Sequence, residues 1–186
     1  MRKTKNIFYE QKGYIVVERS FADELKTAVA EPYDFPVEQC YSQEGKNTTV
    51  VGTGKTVGQL LQEFGTNARL EDENVWVNAV NDFFEISKNA ATGEKPLVFI
   101  VPDVRFPNEV SWIDGQDFDF TVRLNGDPCN VFAESKRDKN HISETALDDF
   151  QGFDIILNTD EQSAADCARI VKLFTIKQFT DKTSQK

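Results

Sequence analysis

At 186 residues, with 39% hydrophobic and 11% aromatic residues, the chain has enough apolar material for a single packed domain over residues 1–186 and is not a disordered segment. Its formal net charge of −10 excludes a protein that wraps a nucleic-acid polymer, because such binding runs on neutralised phosphates, whereas a few converging Arg and Lys can still hold a small nucleotide. Three scattered cysteines and a single histidine, without zinc-ligand spacing, predict reduced thiols and no structural metal. With no apolar run of spanning length and no apolar stretch after the basic start, the expectation is a cytoplasmic protein without a membrane partner.

Ile7–Tyr9, ahead of Gly13, predict the end of a helix capped by that glycine. Tyr14–Glu18, β-branched and aromatic, predicts a strand. A helix then opens at Ser20-Phe21-Ala22-Asp23, with Ser20 as N-cap and Leu25, Ala28 and Val29 on one face, and ends at Pro32 and Pro36. Residues 31–53 read as a long connection, with weak strand character at Thr48–Val51, which in a compact domain is functional or mobile. Thr56 begins a second helix with Val57, Leu60, Leu61 and Phe64 on one face and Gly65 near its end; a third covers Glu73–Lys88. The continuous apolar run Leu97–Val101 predicts a strand buried on both faces. A short helix follows over Asn108–Asp114, then strands at Phe118–Leu124 and Phe153–Leu157, and a last helix over Asp160–Phe179, with residues 175–186 as a frayed tail. Strands alternating with helices predict an α/β fold with a mainly parallel sheet.

Ligands of open parallel sheets bind at the carboxyl ends of the strands, where Asp103 and Arg105 fall. There a carboxylate can hold Mg²⁺ through water and a guanidinium can clamp a phosphate. The same spacing describes an Asp–Arg ion pair tying strand end to helix start, and both readings stand. Arg123 ends the next strand, on the same edge of the sheet as Asp103, and leads into a polar loop containing Arg137. Such a loop suits a lid that closes on phosphates, and equally a solvated surface loop. Beyond it, Ser143 with Glu144 in the first turn fits a helix cap as well as it fits catalysis. Thr53-Gly54-Lys55-Thr56 imitates a Walker A ending, but the position of the first glycine of G-x-x-x-x-G-K-[ST] is Thr49, so the segment reads as a turn into a helix.

Several segments together resemble the deoxynucleoside monophosphate kinases of large DNA phages and viruses. They are Ser20-Phe21-Ala22-Asp23 with Leu25-Lys26, Thr56-Val57, Leu60-Leu61-Gln62 with Phe64-Gly65-Thr66, Arg69, Val75-Trp76-Val77, Asp103-Val104-Arg105-Phe106 with Asn108-Glu109, His141 with Ser143-Glu144, and Asp154 to Asn158. Their order and spacing hold over about residues 14–174. The resemblance implies a P-loop NTPase-like, three-layer α/β/α fold that transfers the γ-phosphoryl group of ATP to a dNMP, with Mg²⁺ accompanying ATP. It implies acceptor-binding roles for Gln62, Thr66, Arg69 and Arg105, a catalytic role for Asp103 in positioning the Mg²⁺ without direct ligation by the protein, and lid-side catalytic roles for Arg123 and Arg137. If the chain is viral, its cytoplasm is the host's. Kinases of this kind in several cases self-associate, so a homodimer stays open.

Two departures stand out. Gly58 occupies a place where the family usually carries arginine. The family's opening strand and glycine loop, ending in G-K-D-T, have no clear counterpart, and Lys3 and Thr4 fall about where the lysine and its neighbours would bind ATP. Lys3 is read either as the remnant of that lysine or as an ordinary terminal lysine. The fold is accordingly expected to lack its central first strand, between Leu97–Val101 and Phe118–Leu124, leaving two inner edges unpaired. Three functions follow: an ATP-dependent dNMP kinase, a degenerate relative that binds nucleotide without transfer, or an acidic protein-interaction module.

Overall fold

The computed structural model describes residues 8–11, 14–91, 95–116, 120–127 and 140–183. Strand β1 (Phe8–Gln11) pairs antiparallel with β2 (Tyr14–Glu18), in a register that runs from Phe8 opposite Val17 to Gln11 opposite Tyr14. The expected helix end at Ile7–Tyr9 is therefore a strand where it is described. Local pattern is weak in so short a segment, and the backbone groups on the open edge of β2 select the extended form by pairing with it.

From β2 the chain crosses through α1 (Ala22–Ala30), a 3-10 helix (Val37–Tyr41), α2 (Gln43–Lys46), α3 (Val57–Glu71) and α4 (Val75–Ala90) before returning as β3 (Leu97–Ile100), parallel to β2. After α5 (Pro107–Asp114), β4 (Val122–Asn125) and β5 (Ile155–Asn158) form a second, parallel pair with α6 (Ile142–Thr145) between them in sequence. The chain ends in α7 (Ala164–Thr183), which has no Gly or Pro to interrupt it and continues into the segment expected to fray. The protein is thus α/β, and its sheet order is β1-β2-β3 in one sheet and β4-β5 in another. Among the described residues no strand joins β3 to β4.

The connection over 31–53 carries more structure than its composition predicts. Cys40, fully buried, and Val50 join Val29, Val57 and Leu60 in one core cluster, which pins the 3-10 helix and α2 against α1 and α3. Two buried side chains supplied by a polar segment are enough to order it. At its end, Val50 N–H donates to the Lys55 carbonyl at 2.8 Å, and Gly52 and Gly54 take left-handed φ values of 80° and 67°. Gly-Lys-Thr here closes a tight turn, and the Lys55 ammonium pairs with Glu63 on α3.

Thr56 caps α3 reciprocally: Gln59 N–H donates to Thr56 Oγ1 at 3.2 Å and Thr56 N–H to Gln59 Oε1 at 2.9 Å. Replacing Thr56 with alanine is expected to cost about 1 kcal/mol in urea denaturation, with the midpoint lowered and the m-value unchanged. Gly65, expected near the helix end, sits inside α3, because the helix runs on to Glu71. A Cβ there would meet Leu25 Cδ2 at 3.1 Å, so the glycine lets α1 and α3 approach closely.

A second core cluster, Phe21, Trp76, Val77 and Val80, lies between α4 and β3 and takes in Phe99 and Trp112. Its rings meet edge to face: Phe84 with Phe99 at 5.2 Å and 81°, and Phe84 with Trp112 at 5.8 Å and 89°. Such pairs add about 0.5–1.5 kcal/mol each beyond area burial. β3 was expected to be buried on both faces; instead Leu97, Val98 and Phe99 are half-buried and Ile100 is 43% exposed. The strand has a described neighbour on one side only, so its apolar run is covered unevenly.

Candidate functional site

The carboxyl end of β3 delivers Asp103 to the start of α1. Asp103 Oδ1 accepts from Phe21 N–H at 2.8 Å and Oδ2 from Ala22 N–H at 3.0 Å. A helix start leaves its first amides without intrahelical partners, and here a carboxylate 82 and 81 residues away in sequence supplies the acceptors. Ser20 does not act as the N-cap: Phe21 occupies that place, and the Ser20 amide donates to Asp23 Oδ2 at 3.0 Å. Burial raises the Asp103 carboxyl above its ordinary range, opposed by the two amides.

Arg105, two residues on, does not pair with Asp103. Its Nη1 donates to Glu144 Oε2 at 2.8 Å and to the Ser143 carbonyl at 3.1 Å, linking α5's approach to α6. Glu109, 1% exposed, organises the turn between them: Oε2 accepts from Arg105 N–H at 2.7 Å and Phe106 N–H at 3.1 Å, while Oε1 accepts from Arg69 Nη2 at 2.6 Å. Arg69, from the last turn of α3, lies with its guanidinium 3.9 Å from the centroid of the Phe106 ring. Burial pushes Glu109 up and Arg69 down, while each group's attraction to the other opposes its shift.

His141 closes the far side. Ser143 N–H donates to His141 Nδ1 at 3.2 Å, so in the neutral ring Nε2 carries the proton and donates to Thr66 Oγ1 at 3.0 Å. His141, not Ser143, is therefore the N-cap of α6. The sequence pattern pointed to Ser143 because hydroxyls are the usual caps; an imidazole acceptor does the same work.

These walls enclose a cleft of about 200 Å³ lined by Gln62, Thr66, Arg69, Asp103 and Arg105, which come from α3 and the β3–α5 turn. Four cations (Lys26, Lys46, Arg69, Arg105) and three carboxylates (Asp103, Glu109, Glu144) line it, and Lys26 pairs at 3.2 Å with Asp23 beside the lining, so the charges balance locally on a chain of net −10. Among the described residues, two buried donors of the lining, Arg69 Nε and Trp76 Nε1, have no hydrogen-bond partner. Lys46, from the 31–53 connection, belongs to this lining although nothing in the sequence singled it out, and so do Trp76 and Glu109, which the sequence showed only among the segments of the resemblance and without a site role. For Glu109 a signal existed: an acid at the third helical position reads as one half of a capping box.

Arg123 lies elsewhere. On β4 of the second sheet, it donates to the Leu147 carbonyl at 3.2 Å, Asp148 Oδ1 at 3.3 Å and Asn125 Oδ1 at 3.1 Å, and holds the turn after α6. It is not part of the cleft lining, and its strand does not share a sheet with β3, so the expectation that it flanks Asp103 on one edge is corrected. Arg137, Lys3 and Thr4 fall outside the described residues.

Among the described residues no group of three or more His, Cys, Asp or Glu could hold a metal ion, and no helix is long and apolar enough to cross a membrane. The described cysteines, Cys40 and Cys167, are free and buried. Searches against models of known protein families and against curated proteins give no match.

Proposed function

We propose that the chain is a deoxynucleoside monophosphate kinase and that the cleft is its acceptor site, receiving the dNMP whose phosphate takes the γ-phosphoryl group of ATP. The observation that carries this reading is the meeting of Gln62, Thr66, Arg69 and Arg105 in one cleft of an acidic chain. A phosphomonoester accepts hydrogen bonds and carries negative charge, which suits two guanidinia with N–H groups beyond those their carboxylate partners take and, among the described residues, two buried N–H donors without acceptors. Phosphoryl transfer is mostly positioning and electrostatic stabilisation, so a charged, preorganised cleft is the equipment the reaction needs from the acceptor side. The ATP side of the proposal, with Lys3, Thr4 and Arg137, rests on the resemblance alone.

Mg²⁺ would come with the phosphates of ATP and supply charge neutralisation there. The described residues do not fit direct ligation: both oxygens of Asp103, the acid expected to position the ion, already accept α1 amides. In this proposal Asp103 fixes the helix that lines the cleft, and no step is drawn through the metal.

One observation favours a second reading, in which nucleotide binds without transfer: β3 and β4 lie in separate sheets with no described strand between them. A coupled ADP-release assay with the four dNMPs, run beside calorimetric binding, distinguishes the two. Turnover with at least one dNMP supports the kinase; binding without ADP release supports the second reading; no binding sinks both. Replacing Arg105 with alanine is expected to weaken dNMP binding about tenfold or more, the worth of a hydrogen bond to a charged group. Unchanged affinity would remove the cleft from either account.

A further inference from the structure

We infer that His141 is a positioning residue for the anion of this cleft: it orients the Thr66 hydroxyl so that the hydroxyl hydrogen is left to donate to a ligand oxyanion. The inference rests on reading the cleft as a phosphomonoester site, and assigns the direction of one hydrogen bond within it.

That direction is set by a backbone group that can only donate. Ser143 N–H donates to His141 Nδ1 at 3.2 Å, and the Ser143 hydroxyl lies 2.9 Å from the same nitrogen. Nδ1 is therefore the acceptor of the ring, and the proton of the neutral imidazole sits on Nε2. Nε2 in turn is 3.0 Å from Thr66 Oγ1, which has to accept. A hydroxyl that accepts from an imidazole N–H keeps its own hydrogen to give, and Thr66 and His141 both line the cleft.

Where that hydrogen goes separates Thr66 from four other helical hydroxyls. Ser87, Ser111, Thr175 and Thr180 each donate to the carbonyl four residues back, at 2.8 to 3.0 Å. A hydroxyl spent in this way turns only lone pairs outward, and lone pairs repel an oxyanion. Thr66, inside α3, makes no such bond to the Gln62 carbonyl; among the described residues His141 is the one hydrogen-bond partner of its side chain.

The test is calorimetric titration of the full chain with inorganic phosphate and, separately, with dTMP, comparing wild type, His141→Asn, Thr66→Val and the double variant. Asparagine is among the preferred N-caps and can still cap α6, but it lacks the imidazole Nε2–H that reaches Thr66. Thr66→Val is expected to weaken binding of both probes about tenfold, the worth of a hydrogen bond to a charged group. His141→Asn should weaken it about threefold, since the hydroxyl can then turn to the Gln62 carbonyl. The double variant should bind no more weakly than Thr66→Val alone, because without the hydroxyl His141 has nothing to direct. Thr66→Ser, which keeps the hydroxyl, should bind as wild type does. A His141→Asn loss that persists at full size in the Thr66→Val background overturns the inference and leaves the cleft reading standing, as does a Thr66→Val variant with wild-type affinity. Coupled losses with phosphate but no dTMP binding uphold the inference and remove the nucleotide reading. Failure of wild type to bind either probe overturns both. If thermal melting shows His141→Asn unfolded, the ¹⁵N spectrum of the single imidazole decides without a substitution. A protonated Nε2 with a bare Nδ1 upholds the inference, and a proton on Nδ1 alone overturns it.

Discussion

Replacing Glu109 with alanine is expected to lower the unfolding free energy by about 3–5 kcal/mol, the range seen when one partner of a buried ion pair is removed. The size follows from what the carboxylate serves. It is the acceptor for Arg105 N–H and Phe106 N–H and the counter-ion of Arg69, at 1% exposure, so truncation leaves a guanidinium and two amides unmatched at once. Glu109→Gln keeps one acceptor oxygen and should fall between alanine and wild type. Urea denaturation at neutral pH, with the m-value as a check on two-state behaviour, measures both. A loss below about 1 kcal/mol for the alanine variant would mean that water reaches these groups, against their burial.

Removal of the Asp103 carboxylate is the second large effect, with about 2–4 kcal/mol expected for Asp103→Ala, since each buried donor left unsatisfied costs about 1–3 kcal/mol. The asparagine variant separates capping from charge. Its amide oxygen can accept from Phe21 or Ala22, but its NH₂ group is a donor facing the other donor, so roughly half the loss should persist. Amide exchange of α1, which carries Leu25 and Lys26 of the cleft wall, should quicken in both variants, whereas α7 should keep wild-type exchange.

The same two carboxyls set a pH dependence. Burial raises both Asp103 and Glu109 above their ordinary values, so the fold binds their protons more tightly than the unfolded chain does. Their contribution to stability is therefore fully present below the ordinary carboxylate range near pH 4 and is lost as pH rises through the raised folded values. Stability attributable to these groups should increase on moving from neutral pH toward that range. Denaturation curves at several pH values should show a flatter dependence in Asp103→Asn and Glu109→Gln than in wild type; an unchanged slope in both would assign the dependence to other groups.

Strong local periodicity carried much of the fold into the sequence. The helices α3 and α4 were legible from apolar residues at helical spacing and from Thr56 ahead of Val57, β2 from its β-branched and aromatic residues and β3 from a continuous apolar run. The turn at Gly52–Gly54 was legible because the Walker pattern fails at Thr49. β1 was not legible, since four residues carry too little pattern to choose between helix end and strand until a neighbouring edge offers hydrogen bonds. Nor was the order within 31–53, which depends on Cys40 and Val50 finding a shared core with α3.

For the candidate site, Asp103 and Arg105 stood out by position and Arg69, Gln62 and Thr66 only through the resemblance, and the cleft brings all five together. What each charge faces could not be read along the chain. Asp103 meets the amides of residues 21 and 22, Arg69 meets Glu109, and Arg105 meets Glu144 and not its neighbour Asp103. Arg123, the same residue type at a similar strand end, faces the turn at Leu147 and Asp148 in another sheet. The sequence by itself determined the α/β alternation, the acidic charge and the residue types available for an anion, because these are properties of local composition and period. Only the tertiary structure decided which carboxylate neutralises which guanidinium, because charges pair by distance in space and burial, and those are set by how α3, α5 and α6 pack around the end of β3.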